Sequence, residues 1–252
     1  MKKRWMGLLI VAGFLAGTVF AETTSSPENE GWEFTVAPYL WMAGIEGSAG
    51  TVPGVPAAQV DADFSDILEN LDIALMAVGE ARYGKWAVVD DFMYLNLSAG
   101  GQAPAPVSGK IEADITSVIN TLAAAYRVVE DEKIAVDLYA GARLWHVDTE
   151  LAIKSGPSAG TKTQGDDLWI DPVIGAKVVG TLSEKISITL GGFFGMGASD
   201  EDWSLMAMFN YDVKEWVALT AGYRHMSVDY EDGGFVYDVE MSGPVLGAVF
   251  RF

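Results

Sequence analysis

The chain has 252 residues, 50% of them apolar, with 28 Gly, 8 Trp, 9 Tyr, 11 Phe and no Cys. That is too apolar for a disordered chain and too rich in Gly for a helical bundle. A formal charge of −19 repels phosphate backbones and argues against a nucleic-acid partner. Without Cys there is no disulfide framework, thiolate metal site, catalytic thiol or lipid-modified Cys.

The N-terminus reads as an export address. Lys2, Lys3 and Arg4 precede an apolar run from Met6 to Phe20, and Val19-Phe20-Ala21 supplies small residues at the expected cleavage positions. This order predicts a signal peptide over residues 1–21, cut after Ala21. The run is shorter than the roughly 20 residues a spanning helix needs. Residues 22–31 follow as a polar, flexible segment. No later stretch offers 18 continuous apolar residues, so the exported chain is either soluble or a spanning barrel.

From Trp32 onward the chain alternates with period two. Phe34, Val36, Pro38, Leu40 and Met42 share one face, and Glu33, Thr35, Ala37, Tyr39 and Trp41 the other. The pattern returns from Ile134, where Leu138, Ala140, Ala142 and Leu144 oppose Asp137, Tyr139, Gly141, Arg143 and Trp145. It returns again after Leu168, where Ile170, Pro172, Ile174, Ala176 and Val178 oppose Trp169, Asp171, Gly175 and Lys177. Ten candidate strands follow: 32–42, 71–83, 86–97, 110–128, 134–153, 167–180, 186–197, 203–212, 216–228 and 235–252. Most reach the length of about 9–11 residues that a tilted strand needs to cross a bilayer.

Connections alternate between short turns (84–85, 129–133, 181–185, 213–215) and longer loops (43–70, 98–109, 154–166). That asymmetry marks an outer-membrane barrel. The expected fold is all-β: a membrane-spanning, antiparallel up-and-down barrel of about ten strands over 32–252, with 8 or 12 as alternatives and both termini on the short-turn, periplasmic side.

Aromatic residues are expected at two interfacial girdles. Trp32, Tyr83, Trp86, Tyr126, Tyr211, Trp216 and Phe252 fall at the short-turn side. Trp41, Tyr94, Trp145, Trp169, Trp203 and Phe235 fall at the long-loop side. Residues 114–128 also fit helical spacing, but their neighbours need a strand partner. The alternation changes phase near Asp90-Asp91 and Ser242-Gly243, as a β-bulge would cause. In the first loop, Phe64, Ile67, Leu68 and Leu71 fit a short helix capped by Ser65, at the rim or folded into the lumen.

The terminal Val245-Leu246-Gly247-Ala248-Val249-Phe250-Arg251-Phe252 resembles the C-terminal β-signal of bacterial outer-membrane proteins, with Gly247, Phe250 and Phe252 at its fixed positions. The resemblance implies delivery by periplasmic chaperones and insertion by the outer-membrane assembly machinery. More loosely, the chain from Trp32 to its end is similar to small Gram-negative outer-membrane β-barrel families, many uncharacterised and porin-like. This implies a place among outer-membrane lipid and lipopolysaccharide and brings no catalytic residue.

Ala140-Gly141-Ala142-Arg143 with Val147-Asp148-Thr149-Glu150 recurs as Ala221-Gly222-Tyr223-Arg224 with Val228-Asp229-Tyr230-Glu231. Arg143 and Arg224 then project into the lumen beside Glu80, Arg82, Asp137, Asp171 and Lys177. Inside a narrow barrel such charges pair across the bore and hold it shut, or form a charged constriction for a small solute. His146 and His225 each precede an Asp by a few residues, but parity puts both on the face opposite their Arg, at the lipid side or rim. Gly156-Pro157-Ser158-Ala159-Gly160 matches a nucleophile elbow by chance, in a loop between strands.

Acidic residues crowd the predicted outer loops: Asp61, Asp63, Asp66, Asp166, Asp167, Asp200, Glu201, Asp202, Asp229, Glu231 and Asp232. They read as a solvated rim, or as one that divalent cations bridge to lipopolysaccharide phosphates. No cofactor motif is present. The expected role is a structural barrel or a narrow small-solute channel without chemistry; a lipid- or peptide-modifying enzyme, or a surface adhesin or receptor, are the alternatives.

Overall fold

Period-two runs that are apolar on one face and mixed on the other close a sheet on itself, because only closure satisfies every strand edge. The computed structural model describes residues 31–52, 54–103 and 109–252. The signal peptide and most of the 22–31 segment lie outside the described residues.

The elements in chain order are β1 (Trp32–Trp41), β2 (Gly44–Gly50), β3 (Ala58–Ala62), α1 (Phe64–Glu69), β4 (Leu71–Tyr83), β5 (Trp86–Ala103), β6 (Gly109–Glu130), β7 (Ile134–Ile153), β8 (Lys162–Ser183), β9 (Ile186–Gly195), β10 (Glu201–Lys214), β11 (Val217–Asp232) and β12 (Phe235–Arg251). Ten of these strands form the barrel. β1 pairs with β4, each later strand pairs with the next, and β12 returns to β1. All pairings are antiparallel, so the predicted fold class holds at ten strands, and residues 114–128 are strand. At the seam Val36 faces Phe250 and Tyr39 faces Gly247. Phe34 and Phe252 exchange both backbone hydrogen bonds, at 3.1 and 2.9 Å. The chain's last residue thus completes the closure.

The strands are unequal. β9 has ten residues, about one tilted crossing, whereas β6 and β8 have 22 each. On the outward face Val88, Leu122, Leu138, Ile174, Leu190, Leu205, Leu219 and Leu246 are exposed in a continuous apolar band. At its short-turn edge Trp32, Tyr83, Trp86, Tyr126, Tyr211, Trp216 and Phe252 are all exposed, and Trp86 packs on Tyr126 at 4.8 Å between centroids.

Several expectations need correction. The register runs unbroken through Asp90-Asp91 and Ser242-Gly243. The irregularities lie instead at 71/73, 127/129, 181/183 and 212/214. The phase therefore never changes at Asp90-Asp91: Asp90 is a polar residue on the outward face, and Asp91 points inward. The first loop contains the hairpin β2–β3, which pairs with the part of β12 that outruns β1. Its small residues carry no apolar alternation, so the strand signal was absent. α1 is capped by Asp63, whose side chain accepts from the Asp66 N–H while the Asp66 side chain accepts from the Asp63 N–H. Ser65 instead donates its hydroxyl to the Asp63 carboxylate. α1 buries no residue and sits at the rim.

Candidate functional site

The inward face is laid out in layers, and each layer follows from which residue types share the inner parity. Nearest the short turns, two Arg and a Lys meet two carboxylates. Arg82 donates to Glu80 at 2.9 Å and to Asp137 at 3.0 Å. Arg127 grips Asp137 with two nitrogens, at 2.8 and 3.1 Å. Lys177 donates to Glu80 at 2.9 Å, lies 3.5 Å from Asp137, and sits over the Tyr139 ring. Four of the sequence-derived lumen residues, Glu80, Arg82, Asp137 and Lys177, thus share one network. Arg127, not singled out from the sequence, completes it.

The two repeat arginines sit further out, each with its own carboxylate. Arg224 pairs with Asp91 at 2.9 Å and donates to the Tyr39 hydroxyl at 3.1 Å. Tyr39 in turn donates to Asp91 at 2.7 Å, and the guanidinium lies over the Trp41 ring. Arg143 pairs with Asp202 and donates to the Thr121 and Ser204 hydroxyls at 2.8 and 3.1 Å. The other Asp202 oxygen accepts from the Trp145 indole at 3.0 Å.

Asp202 was expected in the solvated rim. It is fully buried, because β10 begins at Glu201 and its second residue already carries inner parity. Glu80, Asp137 and Asp171 do not pair with Arg143. Asp171 accepts from the backbone and hydroxyl of Ser199 at 2.9 and 2.6 Å, pinning the 196–200 connection to β8.

The repeat has a structural reason at its Gly as well. A Cβ on Gly141 would lie 2.1 Å from the Leu122 carbonyl oxygen, and one on Gly222 would lie 2.1 Å from the Ala207 oxygen. Each Gly sits two residues before its Arg, on the same face, and lets the neighbouring strand close in.

Above the arginines the bore is aromatic. Trp145 stacks on Trp169 at 5.8 Å, Trp169 on Tyr230 at 4.1 Å, and Tyr237 and Phe235 abut Trp169 edge-on. Trp41, Trp145, Trp169 and Phe235 are thus interior, not members of an outer girdle as expected; height along the strand suggested the girdle, but their parity faces the lumen. Tyr230 donates to Asp167 at 3.0 Å. At the mouth, the segment after β2 crosses to the opposite wall, where the Thr51 and Thr149 hydroxyls meet at 2.9 Å and Val52 is buried.

A cavity of about 230 Å³ remains between the inner network and the Arg224 layer, with Glu80, Lys177, Asp91, Arg224, Tyr39 and Phe193 in its wall.

His146 and His225 point outward. Nδ1 of His146 is 3.0 Å from the Asp167 carbonyl, and the His225 ring packs at a tilt against Trp203 at 4.7 Å. Neither pairs with the Asp that follows it: Asp148 accepts from Gln164. Residues 156–160 form a turn between β7 and β8, with no helix after Ser158. The rim acids do not converge, and no group of three metal-ligating side chains is present among the described residues. They do repel one another. Partial burial first, then Asp238, Asp200, Glu231 and Glu201, raise the Asp229 carboxyl above its ordinary value.

No family model matches the chain, and no curated protein matches it in sequence. Its fold matches the outer-membrane protease OmpT from Escherichia coli at a TM-score of 0.55 with 7% identity, covering 90% of this chain and 99% of that one. Two lower matches are the translocator domain of the autotransporter NalP from Neisseria meningitidis (TM-score 0.42, 12% identity, covering 87% and 88%) and Ail, the attachment invasion locus protein of Yersinia pestis (TM-score 0.36, 13% identity, covering 88% and 99%). What the chain shares with OmpT is the fold, a closed antiparallel β-barrel.

Proposed function

We propose that the protein is a bacterial outer-membrane barrel with a shut lumen, a structural element of the cell envelope that performs no chemistry. One observation carries this reading: three successive layers of paired charge and stacked aromatics cross the bore, and Arg143, Asp202, Asp137, Trp145 and Met226 are each at most 1% exposed. A water-filled pore leaves such groups solvated, and buried charges persist only when paired. The apolar outer band, its aromatic edge and the fold it shares with an outer-membrane protein support the location. In that setting the N-terminal address serves export, the Gly247, Phe250 and Phe252 signal serves assembly by chaperones and insertion machinery, and lipopolysaccharide surrounds the acidic rim.

The test is planar-bilayer recording on the refolded protein. The shut barrel shows no stable conductance; a large, ion-selective, persistent conductance overturns the proposal. The ionisable groups that cross the bore are buried in pairs, and at 7% identity the proteolytic activity named for the structural neighbour does not carry over, so the non-enzymatic reading stands ahead of it.

A further inference from the structure

Outside the lumen, one charge is out of place. On β5 the outward residues run Trp86, Val88, Asp90, Phe92 and Tyr94, from the aromatic edge of the band to the last ring before the polar Asn96 and Ser98. Asp90 is exposed and halfway along this run, so it stands at the middle of the apolar band. Val88 and Leu122 beside it are outward and exposed, while Asp91 and Thr121 point inward, so the orientation is set by parity on two strands. Among the described residues of the band, Asp90 is the only Asp, Glu, Lys or Arg that faces outward. Asn120 on β6 joins it, donating its side-chain amide at 2.6 Å.

A carboxylate facing hydrocarbon is unfavourable, and natural barrels keep their lipid faces clear of charge. Asn120 meets part of the hydrogen-bonding demand but leaves the other carboxylate oxygen, and its own second N–H, open to a further group. The surface around them also carries a group of small residues. Across β4, β6 and β7 it presents Ala77, Gly79, Ala81, Ala124, Ala140 and Ala142, with Gly79 directly opposite Asp90 in register. On the other side of the band Leu190, Leu205, Phe209, Leu219 and Leu246 are exposed, with Ala176, Ala207 and Ala221 among them. Small residues let two backbones approach closely in a membrane, where interhelical or interbarrel contact is gained by packing and polar bonding.

We propose that this face, centred on Asp90 and Asn120, is where a second copy of the chain docks in the membrane. Within the apolar band the complementary polar group is supplied by the same patch: a twofold axis along the membrane normal sets the face against itself. Each Asn120 amide has two N–H donors, one for its own Asp90 and one for the carboxyl of the other copy. The proposal rests on the membrane location argued above.

The chain has no Cys, so single cysteines report contacts cleanly. In outer-membrane vesicles carrying the full-length protein, Ala124→Cys oxidises to a covalent dimer, whereas Leu205→Cys on another part of the band stays at least tenfold less dimeric. Adding Asp90→Leu to Ala124→Cys lowers the dimer at least tenfold, and Asp90→Asn, which keeps a polar group, retains it. Equal yields from Ala124→Cys and Leu205→Cys, or cross-linking of Ala124→Cys to a different protein, overturns the proposal. So does an Asp90→Leu protein that dimerises unchanged. Heat-modifiable migration and membrane fractionation of the same samples report the barrel and its location separately. Should Asp90→Leu fail to fold, the comparison of the two cysteines decides alone.

Discussion

Arg143 is the most committed single residue in the molecule, with every guanidinium nitrogen bound to Thr121, Asp202 or Ser204. Arg143→Ala leaves the buried Asp202 with only the Trp145 indole. The expected loss is about 3–5 kcal/mol, the range for breaking a buried pair, read by urea unfolding in detergent micelles. A loss of about 0–1 kcal/mol shows solvent-screened charges and hence a wet bore.

At the rim the sign is opposite. The folded Asp229 carboxyl lies above its ordinary value of 3.8, so the folded protein holds more protons than the unfolded chain across that interval, and stability falls as pH rises through it. At neutral pH the penalty is fully present. Asp229→Asn therefore raises stability at pH 7 by no more than about 1 kcal/mol, because the group is largely screened. The gain disappears below about pH 3, where both forms are neutral. Paired denaturation curves at the two pH values check it.

Legibility differed residue by residue for a physical reason. Period two reports which face a side chain occupies, so the inward direction of Glu80, Arg82, Asp137, Arg143, Asp171, Lys177 and Arg224 could be read from strand parity. Partner choice depends on how the sheet closes across the bore, which a local pattern does not contain. Arg143 thus met Asp202, and Arg224 met Asp91. The signal for both acids was parity itself: Asp202 alternates with Ser204 and Met206, and Asp91 with Val89 and Met93. The interior tryptophans were legible by the same rule.

At the scale of elements, strand lengths decide where the wall needs help. β9 ends at Gly195, while β8 continues outward for many residues beyond its last pair with β9, at Val173. The short 196–200 connection fills the step, tied down by Asp171. Gly197 lies so close to β8 that a Cβ there would come within 2.8 Å of the Pro172 ring. Asp171→Ala removes both bonds to Ser199 and frees this connection. Limited proteolysis of the folded variant should then cut within 196–200 at least several-fold faster than wild type, with the barrel otherwise intact. An unchanged rate means that packing alone holds the turn. The barrel strands were readable because each buries or exposes a full alternating face. β2 and β3 were not, because they borrow their pairing from the free length of β12.

At the scale of the whole molecule, closure joins first strand to last through Phe34 and Phe252, so no strand edge is left along the seam. Deleting Phe252 removes both a backbone bond pair and a ring from the aromatic edge. The truncated protein should yield less heat-modifiable barrel and more degraded precursor in cells. Undiminished barrel would mean that the terminal residue serves neither closure nor assembly.

The uneven wall also makes the molecule lopsided when viewed from outside. The described tips of β5, β6, β7 and β8, with the 154–161 turn, form a single tall ridge, while the connection at 196–200 lies low behind it. On a living cell, where sugar chains crowd the surface, height governs what a large molecule can touch. With the acidic rim set among lipopolysaccharide as proposed, the ridge is a natural display platform. A short peptide epitope spliced in after Ser158 should be bound by antibody on intact cells, and the same epitope spliced in after Ala198 should be hidden until the cells are opened.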